Sequence, residues 1–379
     1  MSDRPFPNVA ARLLAALLIP ALGLAACTTY EPFDSGDYLK DQYHKRLEPP
    51  VADKLEVPFE LSDELRALVH QRIKPSTDVD RRIEQVQEFI HYYLGLEYEL
   101  TPTRNAVQTF HDAKGNCMSF TNLFIGVARE MRLDPFYVEV TDFNRWNYRD
   151  GMVLSQGHIV AGLYVDGKLH TYDFLPYRPK TYKEFKQIDD VTAAAHYYNN
   201  LAAEALMRGD DEKALEWVQI ATRIAPEFTK AINNYGVTLA RMGRVEEALD
   251  AYQRGLEVDP GDVAILSNMV RAYQRLGRHA EAEATLEKIE SFQNTNPFFF
   301  LYRGELALAE NRPEEALEYM RQAFRRETEI PEIHLGLVKT YMALGDLDRA
   351  RHHLERALKL DATNAEALKL ARLLQQPSS

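Results

Sequence analysis

The sequence predicts two joined architectures: an α+β domain over residues 58–190, then an all-α solenoid over residues 195–362. Two observations predict the solenoid. Ala214, Ala248, Ala282, Ala316 and Ala350 recur every 34 residues, and Gly209, Gly243, Gly277 and Gly345 keep the same step with Asn311 in the missing slot. A third predicts the α+β domain. Helical periodicity runs to about residue 131 and then gives way to short alternating strand patterns, the order of an α+β fold.

Composition narrows the function. The chain has 379 residues, with 45 Lys+Arg against 57 Asp+Glu and a formal net charge of −12. That balance argues against nucleic acid as a partner, which would require basic stripes. Cys27 and Cys117 are the only cysteines, which excludes a multi-thiolate zinc site and a disulfide-rich scaffold. No phosphate loop, dinucleotide fingerprint or metal motif is present, so neither cofactor nor metal is expected.

In chain order, residues 13–26 (LLAALLIPALGLAA) form an apolar run interrupted by Pro20, after a start carrying Arg4 and Arg12. The run is shorter than the roughly 20 residues of a membrane span and reads as part of a signal peptide, residues 1–26. Its end, Leu24-Ala25-Ala26-Cys27, resembles the bacterial lipoprotein signal. The resemblance implies lipidation of Cys27, and hence membrane attachment through acyl chains with no transmembrane helix. With Thr28 following Cys27, it further implies the bacterial cell envelope, at the outer membrane and facing the periplasm. Residues 27–57, with Pro32, Pro49 and Pro50, read as a flexible tether. A lipidated Cys27 leaves Cys117 as a lone thiol in an oxidising compartment, where it needs either burial or chemistry.

Within residues 58–190, segments 61–73 and 78–96 read as amphipathic helices, and another starts at 101–110 with Pro102 near its first turn. Asn116 is a good N-cap, which places Cys117 in the first turn of a helix running to about 131. Residues 134–140 alternate like a strand, and 157–174 form a hairpin with Asp166-Gly167 as its turn. Arg145, Trp146, Tyr148 and Arg149 read as an aromatic and basic loop lining a cleft. If Asp166-Gly167 is the turn, paired positions sum to 333 and Val160 lies opposite Asp173. His158 then shares their face as a diagonal neighbour of Asp173, about 7–8 Å away at the backbone. His170 pairs with Leu163 on the other face, so parity selects His158.

Cys117 at a helix start, with His158 and Asp173 on adjacent strands, resembles the transglutaminase-like superfamily and its papain-type, cysteine-protease-like arrangement. The similarity covers roughly 78–180, most specifically in residues 106–129 and in the His-to-Asp spacing of 15. It implies catalysis by Cys117 as nucleophile, His158 as proton carrier and Asp173 as the group orienting His158. The backbone N–H of Cys117 and the Gln108 side chain would meet an oxyanion. Val160 and Phe174 depart from the aromatic residue and the proline usual at those positions. A helix N-terminus stabilises an adjacent anion by only about 0.3–1 kcal/mol, so a thiolate needs the imidazolium beside it.

The 34-residue units resemble tetratricopeptide repeats. The strongest is INNYGVTLARMGRVEEALDAYQRGLEVDP, residues 232–260. Each unit reads as two short helices joined at the Gly, with the recurrent Ala allowing close approach. One such pair cannot bury its apolar face, whereas five stacked pairs can. Residues 363–379 read as a capping helix and tail. The resemblance implies a protein or peptide partner in a concave groove. Asn200, Asn234 and Asn268, each 34 apart, resemble an asparagine ladder that grips an extended peptide, with Arg241, Arg271 and Arg275 favouring an acidic one. The expected function is a membrane-anchored envelope protein carrying out thiol-based acyl transfer or amide hydrolysis, with the repeats recruiting its partner. The alternative is an inert scaffold that works through the repeats alone.

Overall fold

The computed structural model describes residues 35–149, 152–174, 184–291 and 297–375. The signal peptide and Cys27 lie outside the described residues. The described chain opens with α1 (Ser35–Arg46) and α2 (Pro49–Ala52). Residues 35–57 are therefore not the expected tether. Leu39, Tyr43 and Leu47 recur every four residues and are buried, giving an apolar stripe that the prolines and charges of this segment obscured. The Tyr43 and Tyr198 hydroxyls both donate to the Glu56 carbonyl, at 3.3 and 2.9 Å.

Helices α3 (Asp63–Arg72) and α4 (Val79–Glu88) follow, with a π-helical turn at Phe89–Tyr93. The two-residue strands β1 (Glu97–Tyr98) and β2 (Lys114–Gly115) pair in parallel around α5 (Ala106–Asp112). The helix expected from residue 101 starts later because Asn105 is the better cap. Its side chain accepts from Gln108 N at 2.7 Å, and Pro102 lies ahead of the helix. Helix α6 (Cys117–Glu130) is central, with residues 118–128 all buried.

Beside α6 stands an antiparallel sheet of order β5-β4-β3-β6, built from β3 (Phe136–Arg149), β4 (Met152–Val165), β5 (Lys168–Tyr172) and β6 (Phe185–Ile188). The β4–β5 register pairs Ala161 with Tyr172 and Leu163 with His170, the sum-333 pairing that the turn dictates. Arg145, Trp146, Tyr148 and Arg149 lie on β3 and not in a loop, because β3 and β4 run on past the core of the sheet. β6 has no clear sequence signal. Its burial pattern is mostly exposed, as on an edge strand.

Ten further described helices pair into five hairpins: α7 (Asp190–Arg208) with α8 (Asp211–Ile224), α9 (Thr229–Arg241) with α10 (Val245–Val258), and α11 (Val263–Arg275) with α12 (His279–Ser291). The last two are α13 (Pro297–Ala309) with α14 (Pro313–Arg326) and α15 (Pro331–Ala343) with α16 (Leu347–Leu360); α17 (Ala365–Gln375) covers the end. The recurrent alanines sit at the hairpin contacts and are 0–4% exposed. Gly209, Gly243, Gly277 and Gly345 have φ between 71° and 81°, and Asn311 adopts 57°. The turn demands left-handed backbone, which Gly and then Asn tolerate best.

The sheet is joined to the solenoid by buried charge. Glu139 on β3 accepts from Lys230 of α9, and His196 of α7 stands 3.8 Å from the same carboxylate. Burial opposes charge on Glu139, but His196 and Lys230 outweigh it and hold the carboxyl below its ordinary range. Burial drives His196 down to about 4 despite Glu139. Lys230→Ala is expected to lower stability by about 3–5 kcal/mol, the cost of an uncompensated buried charge, as read by urea unfolding. Adding Glu139→Gln should recover part of that loss.

Candidate functional site

Three elements converge. The start of α6 carries Cys117, β4 carries His158, and the residue after β5 is Asp173. The α6 start is held by a connected set of hydrogen bonds. Asn116 caps the helix by accepting from Ser119 N at 3.0 Å. Its amide donates to Thr103 Oγ1 at 2.8 Å and to the Leu100 carbonyl at 3.2 Å. Thr103 in turn donates its N–H and its hydroxyl to Glu204 Oε1 on α7, each at 2.7 Å. A Cβ at Gly115 would stand 2.5 Å from Ser119 Cβ, so the residue ahead of the cap must be glycine.

β4 is tied to α6 beside His158, where Thr121 Oγ1 donates to the Ile159 carbonyl at 3.2 Å. The Tyr137 hydroxyl reaches Asn122 Oδ1 at 2.9 Å. Asp173 lies between two aromatic rings that pack on α6. Tyr172 stacks on Phe124 at 4.8 Å, and Phe174 meets Phe124 at 5.8 Å and Phe120 at 6.0 Å. Sequence reasoning missed this clamp. The alternation Tyr172-Asp173-Phe174 was the available signal.

His158 is 1% exposed, and its Nε2 lies 3.1 Å from Asp173 Oδ1. The imidazole is also hydrogen-bonded to the Cys117 side chain. With Nε2 on the carboxylate, Nδ1 is the nitrogen that can face the sulfur. Burial of the ring opposes its charging. The hydrogen bonds to Asp173 and Cys117, with their negative charge, prevail and raise the His158 pKa to about 9. Cys117 itself is only partly buried. His170 is exposed and pairs with Leu163, outside the site.

Other expected site residues stand elsewhere. Gln108 is committed to a capping box, its Oε1 accepting from Asn105 N at 3.2 Å. It lines a cleft of about 480 Å³ with Arg104, Tyr198 and Trp217, and this cleft does not include Cys117, His158 or Asp173. The cap uses the Gln108 oxygen and not the Nε2 donor an oxyanion would need, and the cleft that Gln108 lines does not include Cys117. Asn234 and Asn268 are buried, and Asn200 is half-buried. Their amides do not form an open ladder: Asn234 Nδ2 donates to Asn199 Oδ1 and Asn268 Nδ2 to Asn233 Oδ1, both at 2.8 Å. The Asn234 and Asn268 amides are each satisfied by an asparagine of the preceding repeat, because an unpaired buried amide is costly. The arginines are also engaged, Arg241 with Asp211 at 2.8 Å, Arg271 with Glu305 at 3.8 Å and Arg275 with the Ala240 carbonyl at 2.7 Å. Among the described residues no group of three or more His, Cys, Asp and Glu is placed to hold a metal. No described helix is long and apolar enough to cross a membrane.

Comparison with known proteins agrees with the helical half. A tetratricopeptide repeat family profile matches residues 239–297 and 307–374. The small glutamine-rich tetratricopeptide repeat-containing protein 2 of Mycosarcoma maydis is 32% identical over 88 residues, covering 23% of this chain and 25% of that protein. An uncharacterised protein of Methanocaldococcus jannaschii is 36% identical over 72 residues, covering 19% of this chain and 84% of that one. A thermophilic TPR protein of Thermus thermophilus is similar over 48% of this chain and 100% of its own, at 21% identity and TM-score 0.43. The chain spans a quarter to just over a third of the length of the first curated relatives it matches. Residues 239–297 and 307–374 are thus tetratricopeptide repeats, and arrays of such repeats are protein-interaction scaffolds.

A raised histidine pKa has a defined pH signature. The His158 contribution is complete below about 6.5 and is lost as pH rises through about 9. Asp173→Asn is expected to lower the His158 titration midpoint, followed by the imidazole C2 proton in NMR. It should also cost up to roughly 3 kcal/mol of stability at neutral pH, fading above about pH 9.

Proposed function

We propose that this protein uses a papain-type, transglutaminase-like thiol site for acyl chemistry on an amide, with the repeat array recruiting the protein or peptide partner. What carries the reading is the approach of three groups: the Cys117 side chain at a helix tip, the His158 imidazole hydrogen-bonded to it, and Asp173 at 3.1 Å from the far ring nitrogen. In this reading the Cys117 sulfur attacks the carbonyl carbon, and the Cys117 N–H at the start of α6 meets the developing oxyanion. His158 gives its proton to the departing amine, leaving a thioester. Water or a second amine then attacks the thioester, His158 takes the incoming proton, and the thiol is released. Asp173 keeps the ring oriented throughout and stabilises its charged form whenever it holds the proton. Hydrolysis and transfer differ only in which nucleophile resolves the thioester.

The same proposal places the chain in the bacterial cell envelope, held by acyl groups on Cys27 after removal of residues 1–26, with nucleic acid outside its partners. A second reading, an inert scaffold acting through the repeats alone, is favoured by the family match lying wholly within them. Thiol labelling separates the two. The acyl-transfer reading expects iodoacetamide to alkylate Cys117 in the folded protein at pH 6–7, and His158→Ala to slow this roughly tenfold or more. Labelling that appears only on unfolding, or is indifferent to His158, would establish the scaffold. Radiolabelled palmitate incorporation that disappears in Cys27→Ala tests the anchor separately.

A further inference from the structure

β3 and β4 continue beyond the sheet they help to build. β5 pairs with residues 161–165 of β4, and β6 with residues 137–140 of β3. Past those positions Arg145 pairs with Gln156 and Arg149 with Met152. Among the described residues, this outer part is a ribbon of two strands. Such a ribbon is at best marginally stable in water by itself, so it needs a surface to lie on. β4 packs against α9 and α11, the first helices of the second and third repeats, and touches α7 as well. Stacked repeats create an extended concave binding surface, and α9 and α11 are equivalent helices of successive repeats.

Charge agrees with this occupant. Of the three arginines on α9 and α11, Arg241 is balanced by Asp211 and Arg271 by Glu305, while Arg275 is held on the Ala240 carbonyl, so most of the positive charge there is already answered. The arm, residues 141–157, carries two aspartates and two arginines and is formally neutral. The register also breaks at the foot of the arm. Val140 pairs with His158 and Arg145 with Gln156, so residues 141–144 stand opposite Gly157 alone. A bulge of this kind bends a ribbon and uncouples the arm from the sheet below.

We propose that the β3–β4 arm is a built-in occupant of the groove of the second and third repeats. The partner of that groove is an extended, near-neutral polypeptide that must displace the arm. An internal occupant acts at an effective concentration on the order of millimolar, so one of micromolar intrinsic affinity weakens an external competitor about 10³-fold. The inference stands whether or not Cys117 is a nucleophile.

The probe is a fluorescent synthetic peptide of residues 141–157. The test variant replaces those residues with Asn-Gly, which closes a two-residue turn between Val140 and His158. The arm-less chain is expected to bind the peptide at least 100-fold more tightly than the intact chain, by anisotropy, against the roughly 10³-fold ceiling above. Equal affinity in both, or no binding to an arm-less chain with native circular dichroism, overturns the proposal. Should the variant not fold, the ¹⁵N-labelled intact chain answers the same question. Unlabelled peptide at about millimolar concentration should strip hydrogen-exchange protection from the residue 145–149 amides, and retained protection overturns it.

Discussion

The buried carboxylate of Glu204, on the first repeat helix, receives both the backbone N–H and the hydroxyl of Thr103. Thr103 positions Asn116, and Asn116 caps the helix that begins with Cys117. Burial pushes the Glu204 carboxyl above its ordinary range, while the two hydrogen bonds from Thr103 favour its charged form. The candidate nucleophile is therefore placed by the solenoid, through side chains more than 80 residues apart in sequence. Both halves of the chain form one unit spanning Ser35–Ser379, and this chain of hydrogen bonds is a reason for it.

The second junction is electrostatic. Glu139 brings one charge from the sheet to a buried place where Lys230 of the repeats pairs with it directly, with His196 of α7 and Lys186 of β6 also acting on it. A buried pair of this kind is weak evidence for stability but strong evidence for register, because any slip leaves an unpaired charge. It also fixes where β3 and β4 meet the solenoid, and so the surface along which β4 lies on α9 and α11. The candidate cysteine site and the repeats are thereby linked through one strand, since β4 carries His158 at its middle and also packs against α9 and α11.

Much of this was legible in the residues. The 34-residue register of alanines and glycines names the hairpins and their left-handed turns, and Asp166-Gly167 dictates a strand pairing that selects His158 over His170. Asn116 marks the start of α6 to the residue. Other features were not legible. Gln108 has the chemistry of an oxyanion donor, yet Asn105 three residues earlier holds its oxygen in a capping box, and the cleft it lines does not include Cys117. Asn234 and Asn268 have the spacing of a peptide ladder, yet Asn199 and Asn233 beside them accept their amide protons. The prolines around residues 32–50 suggested a tether, while the buried Tyr43 packs edge-on against Tyr198, which is distant in sequence.

By itself the sequence determined the repeat architecture, the hairpin register, the cap of the cysteine helix and the short list of groups able to do chemistry. These rest on periodicity and on contacts within a few residues, where helix and strand geometry leave little choice. The tertiary structure decided which polar side chains had already been taken by neighbours, how the cap is braced from α7, and that β4 reaches onto α9 and α11. Those outcomes depend on which distant surfaces meet, and a hydrogen-bonding or charged group commits to whichever partner burial brings within reach.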